Sequence, residues 1–469
     1  MLHRVAALLL LLLLACDAIG GDAGGGGKWD TYADADSHPD TPLSDIARAV
    51  KDRPIAGGWT WSLGGAAQER FQAQDNRRDF SFEKNDEDAS LLSRTRLNTT
   101  FNYGHLFKAF VEVQDSHEFW RDRLPGTNPN ENSLDFYQAY AEFGLLDDIA
   151  DKPMLSIKAG RQEFVLGNGR LFSNNDWLNN GTNWDMVRVT GRPDGFEFDA
   201  FAGWPVTADT NNPDSPASHR NIAGLNVKAV GIPLGHIVEG FLVYKWDEKT
   251  DYTGEGRGDR GPEREWVLNG SAHGKFFTNF DYNLDLTGEL GQRGSNQIRA
   301  WRGGGQVGYT LPMLWRWVRF AFDYSLASGD KDPTDRRQET FDTLFGDQFG
   351  FRSKFLLAAE KNLEDLNPKF AARAWRGGMI ELDYHHFELM QARDGFYASN
   401  GTVLRRDKSG NAGRYAGQEI DLQITHAFND NLSLSGGAFM FMPARLFSQS
   451  GNHGDSFARN YFLMLRIGF

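Results

Sequence analysis

Through most of this chain bulky apolar residues occupy every second position, with polar or small residues between them. The last nine residues show the pattern plainly: Tyr461, Leu463, Leu465, Ile467 and Phe469 alternate against a mixed set and end on an aromatic. The same period runs through Leu97, Thr99, Phe101 and Tyr103, through Phe280, Tyr282, Leu284 and Leu286, and through Val318, Phe320, Phe322, Tyr324 and Leu326. It returns in Ile420, Leu422 and Ile424. Successive side chains of a strand point to opposite faces, so a period of two predicts strands with one apolar and one polar face.

The alternation predicts strands over 59–74, 89–103, 106–118, 133–144, 153–164, 184–192, 195–204, 220–230 and 236–246. It continues over 264–274, 279–292, 296–311, 316–328, 362–374, 377–390, 415–428, 431–442 and 457–469. That makes 18, an even number, as expected of a bacterial outer-membrane barrel with both chain ends in the periplasm. The fold class read from the pattern is therefore all-β, a transmembrane antiparallel β-barrel.

Gap lengths support the same reading independently. Short turns fall at Gly104 and His105, Pro193 and Asp194, 231–235, 312–315, and Asn429 and Asp430, all after even-numbered strands. Long polar loops fall at 75–88, 119–132, 165–183, 205–219, 247–263, 329–361, 391–414 and 443–456. Short periplasmic turns and long outer loops are the asymmetry of such barrels. The gap at Gly294 and Ser295 is too short for the scheme, which implies that strands 11 and 12 run beyond the membrane. Loops 329–361 and 165–183, chosen for length alone, are the candidates for folding inward to narrow a pore.

The N-terminus has a short basic stretch followed by an apolar run over 5–14, too short to span a bilayer, as in a secretory signal peptide. Two cleavage sites compete, one before Cys16 in a lipobox-like setting and one after Gly20. Cys16 is thus a possible lipidation site and the only cysteine, so the mature body can hold neither a disulfide framework nor thiolate metal ligands. Residues 21–58 fit no strand. They contain a Gly-rich linker at 24–27, a polar acidic stretch and a short helix expected over 45–51 with Ser44 as its cap, and they read as a periplasmic leader, either a tether or a lumen plug. The barrel is expected over 59–469.

Composition fits a barrel wall: 13% of residues are aromatic and 52 are Gly, yet no second apolar run is long enough for a membrane helix. The net charge of −13 argues against nucleic acid as a partner.

Ala159, Gly160, Arg161, Gln162, Glu163 and Phe164, followed by Gly169 to Leu171, Asp176 and Trp177, and Trp184 to Arg188, resemble the GRQ segment of the alginate export family. Further likeness lies in Asp323 to Pro333, in Tyr415 to Leu422 and in the last strand. The resemblance reaches from about residue 90 to the end. It implies an 18-stranded outer-membrane barrel whose lumen is lined by arginines that pass an anionic uronate polymer. The solute of this chain does not follow from it.

Inward parity gives the basic lumen candidates Arg70, Arg94, Arg96, Lys108, Lys158, Arg188, Lys228, Arg302, Arg319, Arg373 and Arg466. Guanidinium groups in a narrow aqueous channel attract and hold carboxylates. The same parity gives acids at Glu112, Glu142, Glu197, Asp199, Asp281, Asp285, Glu289, Asp323, Glu381, Asp383, Glu419 and Asp421. Most bases lie on strands 1 to 6, 12 to 14 and 18, and most acids on strands 7, 11, 15 and 16, so a basic wall is expected to face an acidic one. Arg161 belongs to the candidate set through the resemblance, although alternation points it outward. A bulge at Gly160 turning it inward, or a place at the rim, is required by the cost of a charge in lipid, about 2 to 4 kcal/mol at mid-bilayer.

Weaker signals add little. His385 and His386 point to opposite faces of one strand, so they cannot share a metal. Asp330, Lys331, Asp332 and Asp335 lack an EF-hand register, and Arg257, Gly258 and Asp259 read as a coincidental adhesion tripeptide. No G-x-S-x-G, H-E-x-x-H or phosphate-cradling Gly loop is present. The sequence reading is a passive outer-membrane channel, not an enzyme, with no cofactor and no metal. Two readings of its cargo stand side by side, an anionic solute or uronate polymer and general small-solute diffusion. Expected partners are outer-membrane lipid and lipopolysaccharide, and the barrel-assembly machinery through the strand ending at Phe469. The barrel is expected to be a monomer.

Overall fold

The computed structural model describes residues 42–76, 87–121, 130–146, 148–149, 152–210, 212–249, 261–313, 316–332, 334–347, 349–351, 353–449 and 456–469. The signal-peptide region with Cys16, the start of the leader and the tripeptide at 257–259 lie outside these residues.

Eighteen long strands form one closed antiparallel barrel. They are β1 (Trp59–Asp75), β2 (Asp88–Tyr103), β3 (Phe107–Phe119), β4 (Asn132–Gly144), β5 (Leu155–Gln162) and β6 (Trp184–Gly191). Next come β7 (Phe196–Thr207), β8 (Arg220–Ile232), β9 (His236–Asp247), β10 (Glu263–Phe277), β11 (Phe280–Arg293) and β12 (Asn296–Met313). The last are β13 (Arg316–Ala327), β14 (Leu363–Trp375), β15 (Gly378–Leu389), β16 (Tyr415–Asn429), β17 (Leu432–Pro443) and β18 (Ala458–Gly468). Each strand of the alternation-based reading occurs, with ends that differ by no more than a few residues.

Closure is made by β1 pairing with β18, from Ala66 opposite Gly468 to Asp75 opposite Arg459. Closure removes the unpaired edge that an open sheet would present to lipid. The start of β1 runs past the end of β18. Arg53 and Pro54 pair there with Trp61 and Thr60 and cover the exposed edge. A helix, α1 (Pro42–Val50), leads into this extension, and Arg53 donates to the carbonyls of Arg48 and Ala49 at its end. It starts earlier than the sequence implied, with Pro42 in the first turn, so Ser44 lies within the helix and is not its cap.

Burial follows the predicted parity. On β10, Glu263, Glu265 and Asn269 are buried while Trp266 and Leu268 are exposed. Outward Leu, Phe, Val and Trp meet lipid, and the inward set meets the lumen. β11 and β12 keep full pairing up to the turn at Gly294, which has φ +56°.

The lumen is not an open bore, because outer loops fold onto its inner wall, two of them extensively, while Phe396 and Phe447 from the loops after β15 and β17 pack on inward Phe441. Segment 163–183 and segment 328–362 are held by two apolar clusters on the inner wall. One joins Phe164, Leu166, Leu171, Phe172 and Trp184 to Phe341 and to inward Phe201, Phe241, Val243 and Val267. The other joins Trp177, Phe355 and Leu357 to inward Phe387, Phe439, Phe441 and Phe462. These are the two loops that length alone had singled out. Trp177 stacks on Phe349 with ring centroids 3.7 Å apart, so each loop also braces the other.

Candidate channel lumen

The first wall is built by β1, β2 and β18. Arg70, Arg94, Arg96 and Arg466 all face inward from it, and segment 176–180 is laid across them. Arg70 donates to the Trp177 carbonyl at 2.5 Å and sits 4.1 Å from the centre of its ring. Arg94 donates to the carbonyls of Asp176 and Leu178 and pairs with the Asp176 carboxylate at 2.8 Å. Arg466 reaches the second carboxylate oxygen at 2.9 Å, and Arg96 approaches the first at 3.5 Å. Burial would raise the Asp176 carboxyl, but Arg94, Arg466 and Arg96 outweigh it and hold it at about 2. Asn179 completes the docking with bonds to the carbonyls of Ser93, His117 and Asn130.

A second wall, β14 to β16, separated from β18 by β17 alone, is acidic, and the second loop brings cations and backbone donors to it. Lys354 places its ammonium 3.6 Å from Asp383 and 3.9 Å from Glu381. Its backbone N–H donates to Asp421, while Ser353 and the Phe355 N–H donate to Glu419. Lys369 lies 3.5 Å from Asp383. His385, fully buried, bonds Asp365 at 2.8 Å and lies 3.8 Å from Asp421, whereas His386 faces outward against Tyr415.

A third network joins the two loops to β11, β12 and β13. Arg170 from the first loop pairs with Glu360 from the second at 2.9 Å and lies 3.7 Å from Asp323. Burial works against the Arg170 charge, but Glu360, Asp323 and Asp285 raise its pKa above the ordinary value. Arg302 is shared by Asp285 and Glu360, and Arg319 is held by Asp281. At β9 to β11, Lys245 sits among Glu263, Glu265 and Asp342 at 2.7, 3.1 and 3.0 Å, and the Asp342 N–H donates to Glu289. Those three carboxylates are also the group among the described residues that comes within reach of one ion. An ammonium already occupies their centre.

Of the remaining candidates, Arg188 is forked onto Asp199 at 2.7 and 2.8 Å. Lys158 lies over the Tyr140 ring at 3.7 Å, Lys108 lies near Phe110 and Tyr140, and Glu112 accepts from Gln138. Arg373 shares the inward parity of Ala371 and Lys369. Cross-strand neighbours on the inward face are Lys108 and Glu142, and Glu197 and Lys228.

Of the two places expected for Arg161 the structure shows the rim, and its membership of the lumen set is corrected. It lies on the outward side of β5 near the outer rim, paired with Asp185 at 2.9 Å and donating to the carbonyls of Phe136 and Asp214. The ladder beside Gly160, which has φ +123°, keeps its register through Ala139 to Arg161, so nothing turns the side chain inward. The expected facing of a basic and an acidic wall is corrected too, because the acidic β14 to β16 lie beside β18 with only β17 between, and because Asp176 neutralises part of the basic group and Lys354 part of the acidic one. The sequence reading singles out Arg170, Asp176 and Trp177 only through the family likeness and not as lumen residues, and does not single out Lys354, Asp342 and Glu360 at all. All are loop residues, and strand parity says nothing of loops.

Between the loops and the walls remains a cavity of about 930 Å³. Seven cations (Arg94, Arg96, Arg170, Arg319, Lys354, Lys369, Arg466) and seven carboxylates (Glu112, Glu163, Asp176, Asp323, Asp347, Glu381, Asp383) line it. The formal charges of this lining balance, so the field inside the cavity is set by local arrangement.

A closed barrel with a lipid-facing apolar belt and a charged lumen is an outer-membrane β-barrel channel of the Gram-negative type. Residues 60–456 match the alginate export family, and the chain belongs to that family. No curated protein matches it. Among solved structures it is similar in fold to Pseudomonas aeruginosa OccD3 (OpdP), at 11% identity and TM-score 0.53 over 90% of this chain and 94% of that one. It is also similar to P. aeruginosa OccK2 (OpdF), solved in complex with glucuronate, at 9% identity and TM-score 0.57 over 87% and 98%. Acinetobacter baumannii OccAB3 matches at 8% identity and TM-score 0.56 over 87% and 99%.

Proposed function

We propose that this protein is a passive channel for small solutes that carry a carboxylate, and that Arg94, Arg96 and Arg466 form its recognition point. The observation that carries this reading is Asp176: a carboxylate delivered by a loop already occupies the position that a solute carboxylate would take among three arginines. An arriving solute competes with Asp176 for the same donors. Exchange of one carboxylate for another keeps the arginines paired throughout, so entry does not strand a buried charge and release is not penalised. Conduction needs such weak, successive sites. Lys158 and Lys108, each beside Tyr140, provide further cationic positions deeper along β3 to β5.

Passage of a uronate polymer is the second reading, favoured by the family. It requires the two loops to leave the lumen, since the remaining cavity takes only a small solute. Neither reading involves catalysis. Current block in planar bilayers by a uronate monomer and by long uronate oligomers separates them. The small-solute reading predicts that the monomer blocks and that long oligomers block only from the outside, without traversing. Oligomer translocation overturns it.

A further inference from the structure

We infer that the outward face of β10 to β12, at its outer rim, is a docking site for a phosphorylated glycolipid of the outer leaflet, the lipid A class. Buried Glu263, Glu265, Ile298, Ala300 and Gln338 alternate with exposed Arg264, Arg299 and Arg337, which places these arginines on the outside of the barrel. The ladder brings them together. Arg264 lies opposite Gln292, Gln292 opposite Gln297, and Gln297 beside Arg337, while Arg299 lies opposite Leu290. Strands about 4.8 Å apart put Arg264 and Arg337 in one row across the strands, roughly 15 Å from each other, with Arg299 one same-face step along its strand between them.

Other outward arginines of the outer rim are neutralised by protein: Arg161 by Asp185, Arg414 by Glu364 and Arg459 by Asp75. The guanidinium groups of Arg264, Arg299 and Arg337 meet no carboxylate among the described residues. The nearby acids are engaged elsewhere, Asp332 with Thr334, Asp335 with the backbone N–H of Arg337, and Glu339 with Lys331. Arginine forks match phosphate oxygens, and the charge stands where headgroups lie.

The surface beneath supplies the apolar half of the site. Trp266 and Leu290 share the row of Arg299, and Trp301 lies one step below it, so an apolar belt adjoins the arginines. Under it, Gly240 and Gly270 are ladder neighbours, and Gly288 lies one step higher between Leu268 and Trp301. A side-chain carbon at Gly270 or Gly288 would meet nothing within 4 Å, so the lipid-facing wall is hollow there. Phosphate-binding arginines above a hollow in the apolar wall fit a lipid with phosphates on its headgroup and several acyl chains.

The test uses the full-length barrel purified in detergent and measures binding of bisphosphorylated lipid A, its dephosphorylated form and phosphatidylglycerol. Lipid A should bind at one site, with affinity falling at least tenfold for the dephosphorylated form and for the variant R264Q/R299Q/R337Q. Heat-modifiable gel mobility checks that the variant is folded, and the dephosphorylated lipid tests the same claim on the unaltered protein. Equal binding of both lipid A forms, or equal binding of phosphatidylglycerol, overturns the inference.

Discussion

Asp176 is the residue on which the lumen turns. Its carboxylate neutralises part of an arginine group that would otherwise attract every anion in reach, and Asp176→Asn removes that competitor while keeping the shape. Anion preference in a salt gradient should then rise, and a carboxylate solute should block at several-fold lower concentration. Because the folded-state value, about 2, lies below the ordinary 3.8, this residue adds loop stability that is complete above about pH 4. That contribution is lost as pH falls towards 2. Loop-derived current noise in the wild type should approach that of Asp176→Asn across this window and differ from it at pH 7. Arg161 makes the contrasting case. Its exposed-side pair with Asp185 contributes on the order of 1 kcal/mol at most, so Arg161→Ala should leave ion selectivity unchanged when reversal potentials are compared.

At the scale of elements, the strands were legible and the loops were not. A strand announces itself through side-chain alternation, which is a local property. Leu97, Phe101 and Phe320 could be placed on lipid from the chain alone, and Arg94, Asp199 and Asp323 on the lumen. Loop docking depends on partners far away in sequence. Arg170 meets a residue 190 positions on, and Arg466 meets one 290 positions back. Length chose the right loops because only a long segment can reach inward. It did not say which side chains they would bring, and so the partial neutralisation of both walls stayed hidden. Arg161 was placed inward by likeness to a motif, against its own parity, and the parity gave the correct side.

The same geometry makes Glu360 a strong test of loop anchoring. Glu360→Gln leaves Arg170 and Arg302 buried beside a neutral partner, which costs about 3 kcal/mol. Hydrogen exchange over 328–362 should accelerate by roughly a hundredfold, while exchange in β1 to β4 stays as it was.

On the scale of the whole molecule, the barrel supplies a wall whose charges are sorted along the chain, and two loops supply the counter-charges. Only the combination produces a small cavity of balanced charge inside a tube wide enough for 18 strands. The net charge of −13 therefore says little about the pore, because the groups that face a solute are a small, balanced subset. The central claim is that carboxylates are recognised by the arginine group under segment 176–180. Reversal potential in a potassium chloride gradient tests it most directly, measured with and without a small uronate for the wild type and R94A/R96A/R466A. The account predicts uronate-sensitive anion preference in the wild type and its loss in the variant. A wild type without anion preference, or a variant that keeps it, contradicts the account.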